Sequence, residues 1–203
     1  MTDAVPLLFQ IAAGIALSAC AGLRAFLPLF ATGIAGRLGW VELSGPFGWL
    51  ASTPALIVFG VAVTVELLSD KIPVVDHALD LLNTILKPAA GTALMASMLT
   101  NLTPFQAVVL GIVAGGGSAG LVHLAKAKVR LGSSLLTAGL ANPFISLAED
   151  GAAFAGTAAA FLVPLAAATF ALGAMALLAV ALVLLARRMR RAPTASAATA
   201  ATT

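Results

Sequence analysis

The residues able to do chemistry in this sequence are few, and they recur at helical spacing. Glu66 and Asp70 are four residues apart and project from one helical face; Asp76 and Asp80 repeat that interval, and Asn83, Thr84 and Lys87 continue much the same stripe. A second stripe, Asn142, Ser146, Glu149 and Asp150, follows at intervals of four, three and one. Arg24 stands alone in an apolar run. Carboxylates at such spacing repel when both are ionised, so each needs a proton, a cation or a basic neighbour, for which Arg24, Lys71 and Lys87 are the candidates. Carboxylates that trade a proton or cation for a basic partner do the work of ion coupling. An arginine with lysines beside it suits an anionic group. The division predicted is therefore Glu66, Asp70, Asp76, Asp80, Glu149 and Asp150 for a coupling proton or cation, and Arg24, Lys71, Lys87, Asn142 and Ser146 for a solute. Asn142-Pro143 is expected to interrupt a helix and free backbone carbonyls beside the second carboxylate pair, a natural setting for a cation. For Asp76, Asp80 and Lys87 a solvated amphipathic helix explains the pattern equally well.

Other chemistries lack their residues. His77 and His123 form no H-E-x-x-H or H-x-x-E-H pattern, and no nucleophile elbow occurs. Gly115-x-Gly117-x-x-Gly120 matches a dinucleotide fingerprint in form, but no strand precedes it; small-xxx-small helix packing is the expected use, including a homodimer through this stretch. The D-x-x-D-G-x-x-A-R run of CDP-alcohol phosphatidyltransferases is missing. Cys20 is the sole cysteine, which excludes an intrachain disulfide. It ends a lipobox-like Leu17-Ser18-Ala19-Cys20, yet no Lys or Arg precedes Arg24 as a signal peptide requires, so a packing role is expected. Neither a catalytic activity nor a cofactor is expected, and the metal question stays open.

The elements that must position these residues follow from composition. Charged residues are 9 % of the 203 and apolar ones 61 %, with a mean hydropathy of +1.06. That leaves too little polar surface to cover a soluble fold, and it excludes a soluble enzyme or a nucleic-acid-binding domain. The expected class is an all-α polytopic membrane protein of about six transmembrane or re-entrant segments of ~20 residues. Span 1 runs from about Val5 to Ala35, interrupted at Arg24 and Pro28; span 2 from Pro54 to Leu68. A polar helix, Asp76 to Lys87, leads through Pro88 into a short broken or re-entrant span 3 ending near Leu99. Span 4 covers Pro104 to Leu124, and Lys126, Lys128 and Arg130 form a basic loop. Span 5 starts near Leu135 and span 6 covers Ala158 to Ala186. Residues 1–191 make one transmembrane domain with halves 5–100 and 104–187, followed by a disordered cytoplasmic tail, 192–203.

With both termini inside, Lys71, Lys87, Lys126, Lys128, Arg130, Arg187, Arg188, Arg190 and Arg191 all fall on the cytoplasmic side, against Arg37 outside. That asymmetry predicts a multi-pass membrane protein with both termini cytoplasmic. Ser18-x-Cys20-Ala21-Gly22-Leu23 is echoed by Ser118-Ala119-Gly120-Leu121, Asp70 by Asp150, and Leu86-Lys87-Pro88 by Leu162-Val163-Pro164. Three spans per half would make these inverted repeats with Pro-broken helices, a transporter plan.

Four stretches, Ser18–Leu29, Glu66–Asp76, Lys87–Gly91 and Gly139–Asp150, resemble a bacterial membrane family catalogued as domain of unknown function 4126. The resemblance implies a shared fold and polar core in a bacterial inner membrane, and supplies neither substrate nor mechanism. The function expected from the residues is a small proton- or cation-coupled carrier for a small charged solute. One alternative is a flippase, with Arg24 and Lys87 at the headgroup of a phosphate-bearing membrane lipid. Another is a structural protein in which the charges only pair.

Overall fold

The computed structural model describes residues 6–69, 73–137 and 140–191, except for the side chains of 69, 73–81, 135, 136, 182, 185, 186 and 188–191. Among the described residues it is all-helical, with α1 Leu7–Leu23, α2 Phe26–Arg37, α3 Thr53–Ser69, α4 Pro73–Met98, α5 Pro104–Leu110, α6 Gly117–Thr137, α7 Asn142–Leu162 and α8 Pro164–Arg191. A 3₁₀ turn, Gly45–Ala51, precedes α3, and a π-helical segment, Gly111–Gly116, joins α5 to α6.

The break between α1 and α2 follows from Pro28. In a continuous helix its ring would collide with the carbonyl of Arg24, four residues earlier, and that carbonyl would find no N–H. The chain leaves the helix at Arg24 instead (φ −133°, ψ 110°), and Pro28 sits in the first turn of α2, where no intrahelical N–H is needed. Pro88 acts otherwise: α4 runs through it unbroken. The short re-entrant span expected there is thus corrected to one long helix. Thr92 Oγ1 donates to the Pro88 carbonyl at 2.9 Å, and the residues beyond it are clamped against a neighbour, so tertiary packing outweighs the lost bond.

Two further expectations are corrected. Lys126, Lys128 and Arg130 are not in a loop but inside α6, which continues to Thr137. Asn142-Pro143 opens α7 rather than interrupting a helix, since proline is well accommodated in a first turn, so no carbonyls are freed beside Glu149 and Asp150. Thr103 starts α5 with a capping box, its hydroxyl accepting from the Gln106 amide while the Gln106 side chain accepts from the Thr103 N–H.

Helix α1 is the centre of the bundle, packed against α4, α6, α7 and α8. Close approach rests on glycine. A Cβ on Gly91 would stand 2.5 Å from the Gly115 carbonyl, and one on Gly115 would stand 2.3 Å from the Gly91 carbonyl. Gly111 and Gly116 likewise face Thr92. Gly91, Gly111, Gly115 and Gly116 thus close α4 onto the π segment. Gly22 of α1 meets Ala119 and Val122 of α6, and Cys20 is buried against Gly156 of α7.

The exterior is apolar. Phe105, Phe144, Phe170 and Leu177 are exposed while Arg24 and Lys87 are each 1 % exposed, the reverse of a water-soluble arrangement. Pro104–Ser134 and Pro164–Ala181 are each long and apolar enough to cross a bilayer, and the 3₁₀ turn with Thr53–Leu68, bent by 62°, makes a third such stretch. Composition, exterior and helix length together mark a membrane protein.

Candidate functional site

The charged side chains gather where α1 stops. A helix C-terminus leaves carbonyls without N–H partners and carries partial negative charge; an N-terminus leaves amides and carries the opposite. Both ends meet within three residues here. The Leu23 carbonyl accepts from Lys87 Nζ of α4 at 3.1 Å and from Lys126 Nζ of α6 at 3.5 Å. On the other side, the Glu66 carboxylate of α3 accepts from the amides of Ala25 and Phe26 at 2.7 and 3.1 Å. Cations thus cap the outgoing end and an anion caps the incoming one.

Arg24 lies between them. It donates to the Glu66 carbonyl at 3.2 Å and to Ser146 Oγ at 3.1 Å, and it forms an ion pair with Asp150. It therefore ties α3 to α7 across the break. One residue earlier on α7, Glu149 pairs with Lys126 at 2.9 Å and with Arg130 at 3.5 Å. Adjacent carboxylates on one helix so engage different cations, Asp150 toward the break and Glu149 toward α6. Lys87 is within electrostatic range of Glu66, Glu149, Lys126 and Arg24. In a low-dielectric interior a buried charge is tolerated where it meets a partner, and removing one member of such a pair strands the other.

Of the residues singled out from sequence, Arg24, Glu66, Lys87, Ser146, Glu149 and Asp150 come together. Asn142 does not: its side chain donates to Ser134 Oγ at 2.9 Å and ties the start of α7 to α6. That corrects its place in the solute site. Asp70 and Lys71 lie outside the described residues, and so do the side chains of Asp76 and Asp80 on α4. Sequence reasoning misses Lys126 and Arg130, because in a loop they count only as markers of membrane side. The signal is present, since His123, Lys126 and Arg130 are spaced three and four apart and share a helical face from which Lys128 is excluded. His123 and Lys126 are buried; Lys128 is exposed. Lys87, Lys126 and Arg130 thus serve the interior, which removes them from the charge asymmetry used to infer orientation.

Arg24, Lys126 and Arg130 are held in ion pairs with Asp150 and Glu149. A cavity of about 420 Å³ lies beside them, between α2, α3 and α4, lined by Ile57, Val61, Val65 and Leu86 with Glu66 and Asn83 as its polar members. Among the described residues no three His, Cys, Asp or Glu side chains are grouped as metal ligands.

No curated protein and no solved structure matches the chain. A family match covers residues 11–187, reaching from α1 into α8 and so enclosing every charged residue of the cluster. The chain belongs to the family described as domain of unknown function DUF4126.

Proposed function

We propose that this chain is a small secondary carrier, proton- or cation-coupled, whose solute and coupling ion bind at the α1–α2 break. The observation that carries the reading is the convergence of charged side chains from α3, α4, α6 and α7 on Arg24 and the two helix ends beside it. A broken helix with ionised groups at both exposed ends is how carriers place charge at the bilayer midplane. The closed set of ion pairs is the solute-free form, in which Glu149 and Asp150 hold Lys126 and Arg24 until a coupling ion replaces those cations. Counting α1–α2, α3, α4, α5–α6, α7 and α8 as one crossing each gives six, with both ends on the cytoplasmic side. Contact between Gly22 and Ala119 supports two inverted halves, because it brings the echoed motifs of α1 and α6 together.

The cavity between α2, α3 and α4 favours a second reading, lipid flipping, because an apolar furrow ending beside buried charge suits a tail and a headgroup. Proteoliposomes test both at once. Under a pH or Na⁺ gradient the wild type should show coupled charge movement that Glu149→Gln reduces at least tenfold. Equal movement in both removes Glu149 from coupling. Movement of a fluorescent phospholipid between leaflets with no coupled flux transfers the site to lipid.

A further inference from the structure

Lys87 differs from the other buried cations in its partners. It is 1 % exposed, deeper than Lys126 at 8 %. Its ammonium has three donors, and one goes to the Leu23 carbonyl. Among the described residues no carboxylate comes within ion-pairing distance of it, whereas Arg24 holds Asp150 and Lys126 holds Glu149. Glu66, the carboxylate of α3, is committed to the amides of Ala25 and Phe26. Lys126 meets the same carbonyl oxygen as Lys87, so two buried ammonium groups stand side by side on one acceptor. Two such charges repel, and the end of one helix supplies only a fraction of a unit of negative charge against them. A buried ammonium in this position lacks an anion.

We propose that Lys87, with Lys126 beside it, binds a phosphate group. A compact, multiply charged oxyanion fits adjacent ammonium groups, which act on phosphate as point charges. Arg24, also within electrostatic range of Lys87, adds to the same field. The incoming phosphate takes the two remaining donors of Lys87 and competes with Glu149 for Lys126, which frees Glu149 to accept the coupling ion. The assignment names the substrate class of the carrier reading and rests on that reading for the steps after binding. The phosphate belongs either to a soluble ion or ester, or to a lipid headgroup; both offer Lys87 anionic phosphate oxygens, the headgroup diester with a single charge.

The test is an equilibrium one on the full chain. Purified protein in detergent is unfolded thermally at increasing inorganic phosphate, with ionic strength held constant by chloride. The same measurement is made in nanodiscs of a phosphate-free galactolipid, with and without phosphatidylglycerol. A ligand bound only by the folded state raises the midpoint steadily with the logarithm of its concentration. The wild type should show that rise with inorganic phosphate, and Lys87→Met should abolish it. Lys126→Met, which keeps Lys87, should weaken apparent affinity at least tenfold and serves if Lys87→Met fails to fold. Stabilisation by phosphatidylglycerol over the phosphate-free galactolipid, lost in Lys87→Met and absent with inorganic phosphate, assigns the phosphate to lipid. Equal responses of wild type and Lys87→Met to both probes overturn the proposal. Because no flux is measured, phosphate binding without coupled flux keeps this site and removes the carrier. Coupled flux that survives Lys87→Met unchanged does the reverse.

Discussion

Pro28 and Pro88 present the same local signal, a proline inside an apolar helical run, and the molecule treats them in opposite ways. At Pro28 the helix parts and three residues of backbone are left with unpaired ends. At Pro88 it continues. The difference lies in what surrounds each. Charged side chains reach the first break from three other helices: Glu66 for the amides, Lys87 and Lys126 for the carbonyl. Around Pro88 the neighbours are glycines and a threonine, and Gly91 is pressed against Gly115 too closely for α4 to bend away. A proline sets the local cost; whether the helix opens depends on whether neighbours can satisfy the exposed backbone groups. Here the groups that satisfy them are the same ones that give the protein its charged interior.

The comparison can be broken most forcefully at Glu66. Glu66→Leu leaves the buried amides of Ala25 and Phe26 without an acceptor and should cost about 3–5 kcal/mol of stability. Glu66→Gln, which keeps one acceptor oxygen, should cost about half as much. Thermal or denaturant unfolding in detergent reads both, and an unaffected Glu66→Leu protein would show that the break needs no cap. Next in size is Asp150→Ala, expected to cost about 2–4 kcal/mol because it removes the Asp150 carboxylate from the buried Arg24 guanidinium. Removing Arg24 as well, in Arg24→Met/Asp150→Ala, should restore part of that loss, since a stranded buried charge is worse than a missing pair. The same unfolding cycle shows whether the two are coupled. The smallest effects are at the prolines themselves. Pro88→Ala restores a helical N–H and should stabilise by about 1–2 kcal/mol. Pro28→Ala restores no intrahelical N–H in a first turn and removes two fully buried ring carbons, so it should destabilise by about 1–2 kcal/mol. A larger gain at Pro28 than at Pro88 would reverse the comparison.

Much of the site is legible in the sequence for one reason. In a chain with 9 % charged residues, a carboxylate or arginine inside an apolar run stands out, and the bilayer makes its exposure costly. Arg24, Glu66, Ser146, Glu149 and Asp150 emerge that way. Lys126 and Arg130 escape because they lie among other basic residues at the end of a glycine-rich run, where a loop is the simpler reading. Only the continuation of α6 to Thr137 turns them inward. Asn142 is misplaced for a related reason: a polar residue at the right interval shares a face with the site, but at the first position of a helix it meets the neighbouring chain end instead.

The sequence by itself determined the solvent this protein lives in and the scarcity of its charges. Both are sums over composition and need no partner to be evaluated. It also located the break at Arg24, because the clash between a proline ring and the carbonyl four residues before it is local. Tertiary structure decided everything that depends on which helices meet. It chose Asp150 for Arg24 and Glu149 for Lys126, and it used the glycines of the π segment within the chain. It also left Lys87 beside a second ammonium on a single carbonyl. Pairing of charges is a property of distance across the bundle, which sequence spacing along one helix does not encode.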